Sequence, residues 1–446
     1  MIRLALLLLG HQPMRRQWRL MAGFGLIWIA LGLAIVTDAA DGITVVATET
    51  FGWLLVLEGV IALSFRIGAS AQGARLATVK AIALLLFGLL IVDMPWRNDI
   101  ANSLLFGVAL ATDGLLRIAA ATVIRFARWR TAMVGGFLEL GLAGLAVMDW
   151  PVSYEMTVPF CIAVALILTG WAIVRVALLI KGLQPGASLA GLSAFALRGG
   201  QAAWHGLPPP APVRQDEPMW VHVWTPMGAA TDPRRRPLID RYIAAVDGNG
   251  VISTGHAALE FPPDGYISHY PAADIDRNPG EFARTLRATG ENDVAGRFLP
   301  SYTEEIAGWC EADAHVRFRR YDRARLAAFW DAYRRTDVYN LTNRNCSVAV
   351  ALALDVALEG VLDTRGSWLR FAQLMVHPDL WLAMLLRQQA EAMTWTPGLV
   401  LDYARALKRI IEPKPRSWGD MLREAIRRYR NFRRRTAFEA KEIPPA

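Results

Sequence analysis

Gly32-Leu33-Ala34-Ile35-Val36, Gly88-Leu89-Leu90-Ile91-Val92 and Gly144-Leu145-Ala146-Val147-Met148 stand 56 residues apart. This period decides how the first part of the chain folds. Each stretch lies in an apolar run of the length that a ~30 Å hydrocarbon layer demands of a helix, about 20 residues. Six such runs occur, near Met21–Val36, Ile43–Phe65, Val79–Met94, Ile100–Ile124, Thr131–Met148 and Met156–Ile180. They read as helices because inside lipid every backbone polar group must be paired within its own segment. A second mark repeats in alternate runs: Glu58-Gly59, Asp113-Gly114 and Thr169-Gly170 are 55 and 56 residues apart. The fixed period predicts one helical hairpin used three times. Its glycines let helices approach closely where lipid supplies no hydrophobic force.

The charges divide the chain in the same place. Of 88 charged residues, 24 fall in the first 182 positions and 64 in the remaining 264. The expected layout is a membrane half joined to a soluble half. The apolar content of 54% excludes a disordered chain, and three Cys exclude a disulfide scaffold. Leu4–Leu9 is too short to span and is followed by Arg15, Arg16 and Arg19, so it reads as an interfacial stub rather than a signal peptide. The alternate loops carry Arg66, Arg75, Lys80, Arg125, Arg128 and Arg130, with Lys181 after the last run. The opposite loops hold Asp38, Asp41, Asp93, Asp99, Asp149 and Glu155, with Arg97 the sole cation. This bias predicts that both termini and the soluble half lie in the cytoplasm.

Residues 20–182 resemble the HdeD-like family of bacterial six-helix membrane proteins in their three Gly-rich hairpins. The resemblance implies an inner-membrane location. Glu58, Asp113, Arg117, Glu139 and Arg175 lie in or near apolar runs, where a charge costs ~3 kcal/mol or more. They fit a proton or solute path or interhelical pairing. The lack of a continuous polar stripe favours pairing, with Asp113 and Arg117 one helical turn apart.

Residues 183–217 form a Gly/Ala/Pro-rich linker ending in Pro208-Pro209-Pro210, a semi-rigid spacer. Ser188–Leu197 carries a weak membrane-surface signal. Beyond the linker the pattern alternates with period two. Trp220–Trp224, Gly255–Phe261, Tyr266–Tyr270 and Val316–Tyr321 read as strands, with a turn at Pro262-Pro263-Asp264-Gly265. Leu238–Val246 reads as helical. Asp322 caps a helix to about Arg334, and Asn345-Cys346-Ser347 opens a helix over Val348–Leu358 that Gly360 stops. These elements predict a small α+β domain over residues 218–362. A helical extension follows over 363–446, with helices near Trp368–Met375, Leu380–Met393 and Pro397–Ile411. Trp381, Leu385 and Leu386 either pack on the domain or line an acyl groove.

Phosphate-loop, dinucleotide, nucleophile-elbow and zincin motifs are absent, and three scattered Cys make no zinc pair. No cofactor or metal is expected. Cys346, at the first turn of a helix whose free N–H groups favour a thiolate, is the candidate nucleophile. His256, on a strand, is the candidate base, and His269 on the returning strand the third member. Asn345 or a nearby backbone N–H is the expected oxyanion donor. A packing Cys and a satisfied strand His are the alternative. Cys161 reads as a packing residue, and Cys310 and His315 as structural.

Gly255-His256-Ala257-Ala258-Leu259, then Tyr266-Ile267-Ser268-His269-Tyr270-Pro271, then Asn345-Cys346 resemble the circularly permuted papain-like domains of NlpC/P60 type. These include the lecithin:retinol acyltransferase relatives. The resemblance implies Cys346 as nucleophile, His256 as base and His269 as second His. Cys346-Ser347-Val348-Ala349 departs from the acyltransferase relatives in lacking their Glu-His. A peptide or lipid acyl substrate follows from the resemblance, and a degenerate, purely binding domain is the other expectation. The basic amphipathic segment Trp418–Arg435, with Arg423, Arg427, Arg430 and Arg434, is expected either to lie on anionic lipid or to present a solvated face. Nucleic acid is the weaker partner.

Overall fold

The computed structural model describes residues 2–10, 15–41, 48–64, 71–92, 99–126, 129–148, 153–183, 188–190, 207–226, 245–246, 252–273, 275, 284, 286–363 and 367–413. Arg423, Arg427, Arg430 and Arg434, residues 238–244 of the expected helix Leu238–Val246, and residues 191–197 lie outside them. Of the expected Leu238–Val246 helix, Ala245–Val246 is instead a strand, β2, paired with Ile252–Ser253, β3.

A short helix α1 (Ile2–Leu9) precedes six longer ones: α2 (Trp18–Asp41), α3 (Thr48–Ser64), α4 (Ala71–Val92), α5 (Asp99–Ile124), α6 (Trp129–Val147) and α7 (Tyr154–Lys181). Among the described residues, four helices are long and apolar enough to cross a membrane: Trp18–Thr37, Asp99–Ile124, Trp129–Val147 and Tyr154–Lys181. α3 has 17 residues, and the apolar part of α4 is the shorter stretch Thr78–Leu89.

The glycines act between successive repeats. The closely packed pairs are α2 with α7, α3 with α4, and α5 with α6. A Cβ added at Gly25, Gly52 or Gly114 would stand 2.8 Å from the carbonyl oxygen of Gly170, Gly88 or Gly136 respectively. Gly59 similarly faces Ala81, and Gly32 faces Ala163. Each repeat thus packs its second helix on the first helix of the next, and α7 closes back onto α2. The repeated glycines Gly59, Gly114 and Gly170 all stand at such contacts, as do Gly32 and Gly88, whereas a Cβ added at Gly144 would meet nothing within 4 Å.

α1 is not an interfacial stub. Leu4 through Leu9 are all buried in the same core as the α+β region. The Gly360 and Leu362 N–H groups donate to the Leu7 and Leu8 carbonyls at 2.9 and 2.8 Å. A helix apolar on every side finds its burial in protein rather than at a lipid surface.

The α+β region is built on a four-stranded antiparallel sheet in the order β5 (Gly265–Ile267), β4 (His256–Phe261), β1 (Val213–Trp224), β8 (Ala314–Tyr321). Val221, Val223, Ala257, Leu259, Ile267, Val316 and Phe318 point to one face and are buried. Helix α10 (Cys346–Leu358), buried along its whole length, packs there. A second sheet orders β6 (His269–Pro271), β7 (Val294–Phe298) and β9 (Val338–Tyr339). Helices α8 (Tyr302–Gly308) and α9 (Arg323–Tyr333) flank β8 in sequence, and α11 (Ser367–Met375), α12 (Pro378–Ala392) and α13 (Pro397–Ile411) follow α10. Lys80 Nζ sits 3.3 Å above the Trp381 ring, seating α12 against α4. Leu386 is buried, and Leu385 is exposed.

The expected strand Tyr266–Tyr270 is divided. The chain leaves the first sheet after Ile267 and enters the second at His269, with Ser268 at the switch.

Candidate active site

Gly255, at φ 67°, makes the left-handed turn that brings the chain into β4 with His256 as its first residue, opposite Trp224. Asn345 caps α10, its Oδ1 accepting from the Val348 N–H at 2.8 Å, and places Cys346 at the first helical position. Cys346 faces His256 closely enough for each to shift the other's charge state, and the Ala257 N–H favours the thiolate. Burial works against charge on both groups. The pair outweighs it: the thiol is held below its ordinary range by His256, and the imidazole is raised to about 9 by Cys346 and then Glu305.

His256 Nε2 is 3.0 Å from Glu305 Oε1 and 3.0 Å from Ser268 Oγ. The nitrogen left for the sulfur is Nδ1. Glu305, on α8, is buried and accepts from both Tyr266 and Tyr270 hydroxyls, the latter at 2.6 Å. Burial raises the Glu305 carboxyl, but the bonds from His256, Tyr266 and Tyr270 bring it below its ordinary value. The Tyr270 ring stacks on His256 at 4.0 Å and 13°, and Trp224 packs on the imidazole at 5.5 Å.

Two expected roles are corrected. His269 does not reach the base, because the sheet switch at Ser268 carries it away. Its Nδ1 pairs with the Tyr333 hydroxyl at 3.1 Å, and its ring lies among Phe298, Tyr333 and Tyr339. Burial lowers it to about 3, so it is neutral. Asn345 is not an oxyanion donor: its amide nitrogen bonds the Leu341 carbonyl, Thr394 Oγ1 and the Trp395 carbonyl at 2.7, 3.1 and 3.2 Å. The backbone N–H of Cys346 stands at the first helical position, where no intrahelical acceptor exists for it.

Glu305 was missed because two adjacent glutamates on a seven-residue helix give no cue to which is buried. The one local signal is Ser301, whose hydroxyl caps the helix by accepting from the Glu304 N–H at 3.2 Å. His315 is also better placed than expected. β8 begins at Ala314, which sets His315 opposite His222 with Nδ1 atoms 2.9 Å apart, while His222 Nε2 meets Glu260 at 3.1 Å. Among the described residues no group of three or more His, Cys, Asp and Glu is placed to hold a metal ion. Cys161 and Cys310 are free and half-buried.

Four of the charges singled out in the apolar helices are ion-paired. Glu58 bonds Lys80 at 2.8 Å, linking α3 to α4. Arg117 bonds Asp113 and Glu139, each at 2.8 Å, linking α5 to α6. Comparison of the chain with family models, curated proteins and solved structures gives no match.

Proposed function

We propose that the chain is a membrane-anchored thiol hydrolase acting through an acyl-enzyme, with a permuted papain-like domain and six membrane helices. The observation that carries the reading is the Cys346–His256 pair, whose thiol is lowered and whose imidazole is raised. Such a pair supplies a thiolate near neutral pH together with a proton donor. Cys346 Sγ bonds the carbonyl carbon of an amide or ester, and the carbonyl electron pair moves to oxygen beside the Cys346 N–H. As the tetrahedral adduct collapses, His256 gives its proton to the leaving nitrogen or oxygen, and the thioester remains. Water, losing a proton to His256, then releases the carboxylic acid and returns the thiol pair. Glu305 holds the imidazole in register throughout.

α1 shares a core with the α+β region, which favours an even number of crossings between them. Six agrees with the repeated helices, and the Lys/Arg bias favours the cytoplasmic side of a bacterial inner membrane. The basic C-terminal segment then meets anionic lipid. Peptidase or amidase action is the first reading. Lipid acyl hydrolysis or transfer is the second, favoured by the Ala288 N–H bond to the Ile124 carbonyl at 2.7 Å, which ties the site's surroundings to the end of α5.

A thiol-reactive acyl probe tests the proposal on the full chain. Labelling is expected in wild type, lost in Cys346→Ala and strongly slowed in His256→Ala. Equal labelling of wild type and Cys346→Ala leaves a non-catalytic membrane stress or transport protein as the reading. Peptide against phospholipid substrates separates the two enzymatic ones.

A further inference from the structure

Among the described residues, the end of α5 and the first turn of the thiol helix line one cavity. Arg125, directly after α5, has φ 48°, the one non-glycine residue in the left-handed region among the described residues. That conformation turns the chain so that Phe126 is buried rather than left at the end of a membrane helix. Phe126, Ala288, Thr342, Asn343, Val348 and Trp395 line one small cavity, and Val348 belongs to the first turn of α10. Bonds continue in the same direction. The Ala288 N–H donates to the Ile124 carbonyl, Asn343 Nδ2 donates to the Ala288 carbonyl at 3.2 Å, and Thr342 Oγ1 donates to the Leu286 carbonyl at 2.7 Å. Thr394 Oγ1 donates to the Thr342 carbonyl at 2.8 Å and also meets the Asn345 amide that caps α10. Trp395 Nε1, buried against the cavity, has no hydrogen-bond partner. On the far side of the junction, Arg117 bridges α5 to Glu139 of α6.

We propose that α5 and α6 regulate the Cys346 site, with Phe126 as the positioning residue that carries their arrangement to the first turn of α10. This rests on the thiol-hydrolase reading of that site. Displacing the first turn moves Cys346 relative to both His256 and the Ala257 N–H. The thiolate depends on these short-range contacts and on the helix N-terminus, all of which weaken steeply with distance. Phe126 packs with Ile124 of α5 and with Trp129, Ala132 and Met133 of α6, so a change in the arrangement of the two helices moves its ring.

The test is the pH dependence of Cys346 alkylation by iodoacetamide in the full chain in phospholipid vesicles, with Cys161→Ala and Cys310→Ser removing competing thiols. Phe126→Ala and Arg117→Gln are each expected to slow alkylation at neutral pH about tenfold and to move its onset to higher pH, the result of losing part of the thiolate's support. Phe126→Leu, which keeps a buried apolar side chain, is expected to restore the wild-type profile. Wild-type profiles in both Phe126→Ala and Arg117→Gln overturn the proposal. A shift in Phe126→Ala alone overturns the link to the ion cluster. If His256→Ala also leaves the wild-type profile unchanged, it is the thiol-hydrolase reading that has failed.

Discussion

Glu305 Oε1 stands 3.0 Å from His256 Nε2, with both side chains buried, and each is also held by Tyr270, which stacks on the imidazole and donates to the carboxylate. One tyrosine therefore fixes the plane of the base and the position of the group that orients it. A buried carboxylate with three donors stays ionised and keeps a proton on Nε2, leaving Nδ1 to exchange a proton with sulfur. Glu305→Gln keeps the shape and removes the charge. It is expected to lower the acylation rate about 100-fold, within the usual range for general acid–base groups, with little change in KM. Single-turnover acylation by an ester probe checks this; an unchanged rate would remove Glu305 from the site.

The paired titration predicts two different pH profiles from one site. Alkylation needs only the thiolate, so its onset lies below the ordinary thiol range and it stays fast at high pH. On the proposed thiol-hydrolase reading, turnover also needs the proton on His256, which leaves at about 9, so hydrolysis is expected to fall above about pH 9 while alkylation does not. In His256→Ala the alkylation onset moves up, because burial then acts on the thiol without its cation. Parallel alkaline limbs for the two reactions would contradict the pair.

The strand and helix that carry His256 and Cys346 were legible because Gly255, the alternating strand and the Asn345 cap are local signals. The helix Arg323–Tyr333 was legible for the same reason, from its cap at Asp322. What failed depended on distant partners. Leu4–Leu9 carries the same hydropathy whether it meets lipid or a core some 350 residues away. Tyr266–Tyr270 alternates as one strand, and only the two separate sheets show that the chain changes partners at Ser268. The glycine period predicted close helix contact, but a repeat alone does not tell packing within a hairpin from packing between hairpins.

α1 predicts a dependence of the soluble domain on the first ten residues. Leu8 is fully buried and its carbonyl accepts from Leu362, just beyond α10. Leu8→Ala removes buried methyls and leaves a cavity, at a cost of about 2–5 kcal/mol. The expected outcome is a clear fall in Tm of the detergent-solubilised chain, with helical content retained. Leu8→Asp is expected to expose the domain to limited proteolysis. Wild-type melting in both variants would return α1 to the membrane surface.

The inter-repeat pairing predicts which helices cross-link. Gly59 faces Ala81, and Gly114 faces Gly136, across the α3–α4 and α5–α6 pairs. The double variants Gly59→Cys/Ala81→Cys and Gly114→Cys/Gly136→Cys, made without the native thiols, are expected to be captured by a short bifunctional maleimide. Gly59→Cys/Gly32→Cys, across the first hairpin, is not. Gly114→Leu is expected to destabilise the chain, since its Cβ alone would meet the Gly136 carbonyl at 2.8 Å. Efficient capture across the first hairpin would refute the pairing.

Arg325 and Glu359 form a fully buried ion pair at 2.7 Å, and its surroundings decide its role. Glu359 also accepts from Ser188 Oγ at 2.6 Å and from the Leu189 N–H at 2.6 Å, while Arg325 Nη1 donates to the Pro208 carbonyl at 2.7 Å. The pair therefore fastens the linker after α7 to the α9 helix and to the end of α10. Removing one partner leaves the other charge buried and uncompensated, which costs about 3–5 kcal/mol, whereas replacing both with apolar residues of similar volume is often neutral. Arg325→Met and Glu359→Leu are each expected to lower Tm sharply, and the double variant to recover most of it. In the double variant the linker loses the acceptor for Ser188 and Leu189, so proteolysis between α7 and β1 is expected to quicken even as Tm returns. A double variant as unstable as the sum of the singles would mean that the linker bonds, rather than the charge pairing, hold this junction together.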